Sequence, residues 1–185
     1  MNVGLINGLP GHPLFVHGAA VLVPLTALAL VICALWPPAA RRLGVVLPLL
    51  GLVTLGLVVL TTESGEWLED RVRESSLVEE HAEMGPGLTP WAIALFVLTV
   101  VVWLLGHVGR RQERARGGEG ETTPSEGGAS TVARAASSLS VRVVVLVIAL
   151  VVAAGAVIQV YRIGDSGARA AWHGRFSTSP SEAGR

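Results

Sequence analysis

Apolar residues along this chain come in four long blocks, not at every third or fourth position. Leu14 to Trp36, Leu43 to Thr62, Trp91 to Val108 and Val141 to Tyr161 hold no Lys, Asp or Glu, and Arg142 at the edge of the last is their single arginine. Each block approaches the ~20 residues a helix needs to cross a hydrocarbon layer of ~30 Å. A half-buried helix of a soluble domain would show polar residues at a period of about 3.6, and these blocks do not. A helix also satisfies its own backbone, which lipid requires. The pattern predicts an all-α integral membrane four-helix bundle with spans near residues 14–36, 43–62, 91–108 and 141–161. The first block reads as a true span and not as a cleaved signal. No basic residue precedes it, it exceeds the length of a signal core, and Pro24 lies inside it.

Between the blocks the chain changes character. Residues 2–13 form a Gly/Pro-rich lead ending in Gly11-His12-Pro13, and Pro13 is suited to open a helix. Residues 63–84 are polar throughout, with Trp67, Leu68, Val72, Leu77 and Val78 among them. That spacing predicts a turn or two continuing span two, then a short extracytoplasmic helix near the interface. Gly85-Pro86-Gly87 breaks it and Pro90 opens span three. The stretch 110–140, rich in Gly, Ser, Thr, Glu and Ala, reads as a disordered cytoplasmic linker, and 177–185 as a disordered tail. Residues 1–176 then make one four-span domain. No internal repeat is visible. Trp36, Trp91 and Trp172 fall at span ends, where amphipathic rings settle at the interface.

Composition agrees with the blocks. Hydrophobic residues make up 51% and charged residues 15%, against about 25% charged in soluble domains. A soluble fold this apolar would expose large greasy patches. Arginine sets the orientation, because the chain has no lysine. Arg41 and Arg42 follow span one; Arg110, Arg111, Arg114, Arg116 and Arg134 follow span three. The loop after span two sets Arg71 and Arg73 among eight acids. The positive-inside rule places both termini and the acidic loop outside the cytoplasm of a bacterial plasma membrane. Arg162, Arg169, Arg175 and Arg185 after span four count the other way. No basic stripe interleaved with aromatics occurs, which sets nucleic acid aside as a partner. Cys33, the single cysteine, lies within span one, forms no disulfide framework and reads as a small apolar residue.

The titratable residues sort by side. His12, His17, His81 and His173 share the outer side, and His107 lies alone at the inner one. His17 sits about one turn inside span one, where ionisable groups are costly and face a partner or the bundle interior. Gln159, Thr61, Thr62 and Glu63 lie at similar depth and could join it in a polar cluster. A neutral imidazole there either binds a metal or haem iron or hydrogen-bonds across helices. His12 and His17 are five apart and do not share a helix face, so one ion reaches both only if His12 folds back. Glu63, Glu66 and Asp70 fall at i, i+3 and i+7 on one side of the helix extending span two. They read first as a solvated acidic face, and second as metal or proton-relay groups acting with His81. No Cys-x-x-Cys, His-Glu-x-x-His, phosphate loop or Ser–His–Asp arrangement occurs, so no complete catalytic set specifies an enzyme.

Gly-His-Pro-Leu-Phe-Val-His at 11–17, the polar turn after span two, His81 before span three and Val-Tyr-Arg-Ile-Gly-Asp-Ser-Gly-Ala-Arg at 160–169 together resemble the DUF2231 family. These are small bacterial four-span membrane proteins of uncharacterised function, and the resemblance covers all but the linker and tail. The family often has histidine where this chain has Asp165. Some relatives are joined to Rieske-type iron–sulfur modules, which implies a membrane redox partner by association.

Two expectations follow from these residues. In the first, His17 and His81 are the main ligands of haem b or a transition metal, with His12, His173 and Asp165 as further metal ligands. In the second, the chain is a non-catalytic structural or assembly partner in a membrane complex. A transporter is disfavoured, because the inner parts of the spans lack charged residues. Ala153 to Ala156 offers a small-residue contact for a homodimer within the lipid bilayer.

Overall fold

The computed structural model describes residues 4–118 and 139–174. The lead folds into a two-residue hairpin, β1 (Leu5–Ile6) against β2 (Leu9–Pro10), in antiparallel register Leu5↔Pro10. Asn7 and Gly8 take positive φ of 51° and 82° at its turn. Asn-Gly is the pair that such a tight hairpin favours. The helices are α1 (His12–Leu35), α2 (Pro37–Leu43), α3 (Val46–Glu69), α4 (Ser76–Met84), α5 (Thr89–Gly118) and α6 (Leu139–Trp172), with a 3₁₀ turn Gly85–Leu88 joining α4 to α5. Four helical stretches are long and apolar enough to cross a membrane. This is the all-α four-helix architecture that the apolar blocks predict.

Local chemistry explains the breaks. Trp36 is extended (φ −123°, ψ 92°), as the residue before a proline must avoid the helical region. Ser75 caps α4 by accepting a hydrogen bond from the Val78 amide at 3.3 Å. Two helices outrun their apolar blocks. α5 continues to Gly118, past the expected span end at Val108, because Arg, Gln and Glu are good helix formers once a helix exists to extend. The expected linker at 110–140 is therefore partly helix, its remainder 119–138 lying outside the described residues, as does the tail 177–185. α6 runs to Trp172, well beyond Tyr161.

α1 packs chiefly on α6 and α3, α3 also on α5, and α5 on α6. The interior mixes small residues (Ala19, Ala27, Ala149, Ala153 and Ala156) with fully buried Val23, Leu30, Leu47, Val58 and Leu95, whereas Leu28, Leu52, Val97, Val147 and Val151 face outward. Lipid tails are as apolar as leucine, so burial of large aliphatics drives nothing, and close approach of small residues does. Within the stretch Ala153 to Ala156, Ala153 and Ala156 are buried inside the monomer and Ala154 is exposed. Trp91 differs from expectation: its ring lies over Gly155 and is half-buried against α6, while Trp36 and Trp172 remain exposed.

Midway along the bundle, Thr26 and Thr54 are at most 1% exposed. Their hydroxyls lie 2.7 Å apart, and Thr54 Oγ1 donates to the Leu50 carbonyl at 2.8 Å. With that proton committed, Thr26 must donate to Thr54. A Cβ on Gly51 would lie 2.5 Å from Thr99 Oγ1 and 3.3 Å from Phe96 Cα, so the α3 and α5 backbones approach closely there. Gly51→Val should destabilise the protein by about 2 kcal/mol through overpacking, and Thr26→Val by about 1 kcal/mol or less, since Thr54 keeps its acceptor. Unfolding by SDS titration in mixed micelles reads both.

Candidate functional site

The start of α1, the end of α3, α4 and the end of α6 meet at one end of the bundle. His12 opens α1 and is half-buried. Its Nδ1 lies 3.0 Å from the Thr61 carbonyl and 3.4 Å from Ser64 Oγ. A carbonyl only accepts, so Nδ1 carries the proton and Nε2 carries the lone pair. The ring is seated on Gly65, where a Cβ would stand 3.0 Å from its Cε1. Ahead of it, the Gly11 amide donates to the Gly4 carbonyl at 3.0 Å. Gly4 packs on the Trp67 ring, which the Arg71 guanidinium covers at 4.1 Å. The hairpin thereby fixes where α1 begins.

His81 comes from α4 and is also half-buried. Its Nδ1 lies 2.9 Å from Ser166 Oγ on α6, and Ser166 donates its own proton to the Ile163 carbonyl at 2.9 Å. Nδ1 is therefore the donor again, leaving the Nε2 lone pair free. Gly167 receives the ring, a Cβ there lying 2.9 Å from Cε1. The centroids of His12 and His81 are 6.2 Å apart and the rings inclined at 71°. Among the described residues no hydrogen bond reaches either Nε2, and no buried side-chain nitrogen or oxygen is left unpaired. Both Nε2 atoms therefore reach the edge of the site.

The other expected site residues lie elsewhere. His17 is exposed and donates from Nδ1 to the Pro13 carbonyl one turn back, at 2.6 Å. Five residues of helix carry it about 140° from His12, so once His12 faces inward His17 faces out. Asp165 is exposed and paired with Arg169. His173 is exposed just past α6, its amide on the Arg169 carbonyl at 3.0 Å. His107 sits on α5 beside Trp103, centroids 5.8 Å apart. Glu63, Glu66 and Asp70 are exposed, as a solvated face requires. Among the described residues no three His, Cys, Asp or Glu converge as a ligand set.

The polar cluster around span ends forms with different members. Thr61 and Thr62 hydroxyls donate to the Leu57 and Val58 carbonyls at 2.7 and 3.1 Å. Gln159 donates to the Met84 carbonyl at 3.5 Å and so ties α6 to the turn before α5. Ser64 and Ser166 escape the sequence reading as imidazole partners, although each stands in a Ser-Gly pair at the end of a span. Two cavities lie apart from the histidines. One of about 590 Å³ is lined by Glu69, Asp70, Glu74 and Glu79 among others. The other, about 50 Å³, lies among Cys33, Ala40, Val102 and Arg142 at the far end.

Fold and site together define a four-span membrane protein that presents two tautomer-fixed imidazoles at one end of its bundle. No family model, no curated protein and no solved structure matches this chain.

Gly167→Ala should push the His81 ring off Ser166 and cost about 1–3 kcal/mol. His17→Ala should stay within about 0.5 kcal/mol of the parent, as an outward substitution does. Thermal unfolding in detergent compares them.

Proposed function

We propose that this chain is a multi-pass plasma-membrane protein that binds one transition-metal ion through Nε2 of His12 and His81. The observation that carries the reading is the pair of fixed tautomers. Each ring spends its Nδ1–H on a protein acceptor and keeps an Nε2 lone pair, which is how metal-ligating histidines are normally held. Imidazole–metal bonds of about 2 Å place two rings on one ion with centroids roughly 5–6.5 Å apart, depending on the angle at the metal. The observed 6.2 Å lies at the wide end of that range, where the two nitrogens bond the ion from nearly opposite sides. Two protein ligands leave positions open for water or an exogenous group, as in sites that exchange or use their metal. Imidazole suits zinc, copper, nickel and iron better than calcium or magnesium. We favour a bare ion over haem b, because Gly65 and Gly167 hold the ring faces close against α3 and α6. His12 takes the role that sequence spacing gives to His17. The arginine-rich end lies in the cytoplasm and the imidazole end outside, by the positive-inside rule. Membership of the DUF2231 family, and with it a bacterial source and a membrane redox partner, rests on the motifs at 11–17 and 160–169.

A second reading draws on the same bonds. They tie α1 to α3 and α4 to α6, so both histidines also serve as structural clasps in an assembly partner that binds no metal.

Elemental analysis of protein purified without a metal-binding tag separates the two. The metal reading expects near-stoichiometric zinc, copper or iron, lost in His12→Ala and in His81→Ala and kept in His17→Ala. Full metal in both of the first two variants would sink it. Variants that lose stability while the parent is metal-free favour the clasp. A Soret band in the parent would restore haem. Because a ligating imidazole must be neutral, and burial holds both rings below the usual imidazole pKa, occupancy should persist through neutral pH and be lost only on acidification below the ordinary imidazole range, which equilibrium dialysis on a descending pH series would register.

A further inference from the structure

The two imidazoles are held by the same device. His12 Nδ1 donates to the Thr61 carbonyl at 3.0 Å with Ser64 Oγ beside it at 3.4 Å, Ser64 donates to the same carbonyl three residues before it (3.0 Å), and Gly65 receives the ring. His81 Nδ1 meets Ser166 Oγ, Ser166 donates to the carbonyl three residues before it (Ile163, 2.9 Å), and Gly167 receives the ring. An acid precedes the serine in both places, giving Glu63-Ser64-Gly65 at the end of α3 and Asp165-Ser166-Gly167 at the end of α6. The helices repeat the relation. α1 and α5 start at the imidazole end, α3 and α6 finish there, and α1 packs on α6 as α5 packs on α3. Chance resemblance at one contact is ordinary. Agreement of donor nitrogen, neighbouring serine, carbonyl offset, glycine and helix direction is not.

We infer that the chain is a tandem pair of helical hairpins, α1–α3 and α5–α6, each delivering one imidazole of the same tautomer to a shared site on their local two-fold axis. Ser64 and Ser166 are equivalent positioning residues. A parallel repeat of this kind has its axis along the bundle and builds its site where the halves meet. The deepened reading rests on the metal proposal. A single cation on the axis is bonded alike by both Nε2 atoms, so neither histidine is a primary ligand with the other as accessory.

The halves have diverged where the site allows it. His12 opens α1 directly, whereas His81 stands on α4, one 3₁₀ turn ahead of α5. The serine follows its histidine by 52 residues in the first half and by 85 in the second. The extra length lies in that turn and in the longer connection from α5 to α6. Such divergence hides the repeat from the sequence, since no fixed period survives.

Long-range ¹⁵N–¹H correlation spectra of ¹⁵N-histidine-labelled, metal-free protein in detergent test this, with His12→Ala and His81→Ala assigning the signals. Both rings should show a protonated Nδ1 and a lone-pair Nε2, and Ser166→Ala should perturb the tautomer of His81 alone, with Ser166→Thr restoring it. An Nε2–H tautomer on either ring, or a different one on each, overturns the inference. Zinc(II) is then titrated in. Both Nε2 signals should shift together and saturate at one equivalent. If zinc shifts only one ring, the equivalence fails and the metal reading stands. If zinc shifts neither while the tautomers match, the metal reading fails and the repeated hairpin stands.

Discussion

Hydrocarbon offers a polar group nothing to bond, so each one carried into this bundle must find its partner within the protein. That constraint organises the structure from the middle outward. At the centre Thr26 donates to Thr54, and Thr54 donates to the Leu50 carbonyl. Thr61, Thr62 and Ser64 turn their hydroxyls back on their own helix. At the end of the bundle the same demand reaches the imidazoles, whose Nδ1 protons go to Thr61 and Ser166. Satisfying one nitrogen fixes the tautomer, and the fixed tautomer leaves the other nitrogen its lone pair. The tautomers of the pair are thus a by-product of the bonding that the surroundings impose.

The second organising fact is fit. Four apolar helices have no hydrophobic reason to choose one face over another inside lipid. They choose by shape instead. Ala149, Ala153 and Ala156 are buried on α6, Gly51 brings α3 close to Thr99 of α5, and Gly155 admits the Trp91 ring. The glycines that seat His12 and His81 belong to the same scheme. They leave room for a half-buried ring to lie close against the helix, where a Cβ would meet it.

The arrangement also keeps the imidazole pair apart from the carboxylates. The acidic groups after span two and Asp165 face outward or pair with Arg169. What the bundle contributes is convergence: four chain segments distant in sequence reach one point because an even number of crossings returns them to one side.

Much of this was legible in the residues themselves. Uninterrupted apolar blocks of about 20 residues set four helices, since helix length against bilayer thickness depends on composition alone. Prolines and glycines at 36–44 and 85–90 set the breaks, and the solvated character of Glu63, Glu66 and Asp70 followed from their spacing. The candidate site was legible only as a side of the membrane and a set of histidines. Depth along a helix can be counted from sequence, but facing cannot when all faces are apolar, so His17 looked internal and proved external. The interior role of Ala153 and Ala156, the seat of Trp91, and the partners of His12 and His81 across 52 and 85 residues are decided by helix rotation and close contact. Those arise only when the four helices pack, because in lipid it is shape and hydrogen bonding, and not hydrophobicity, that select which faces meet.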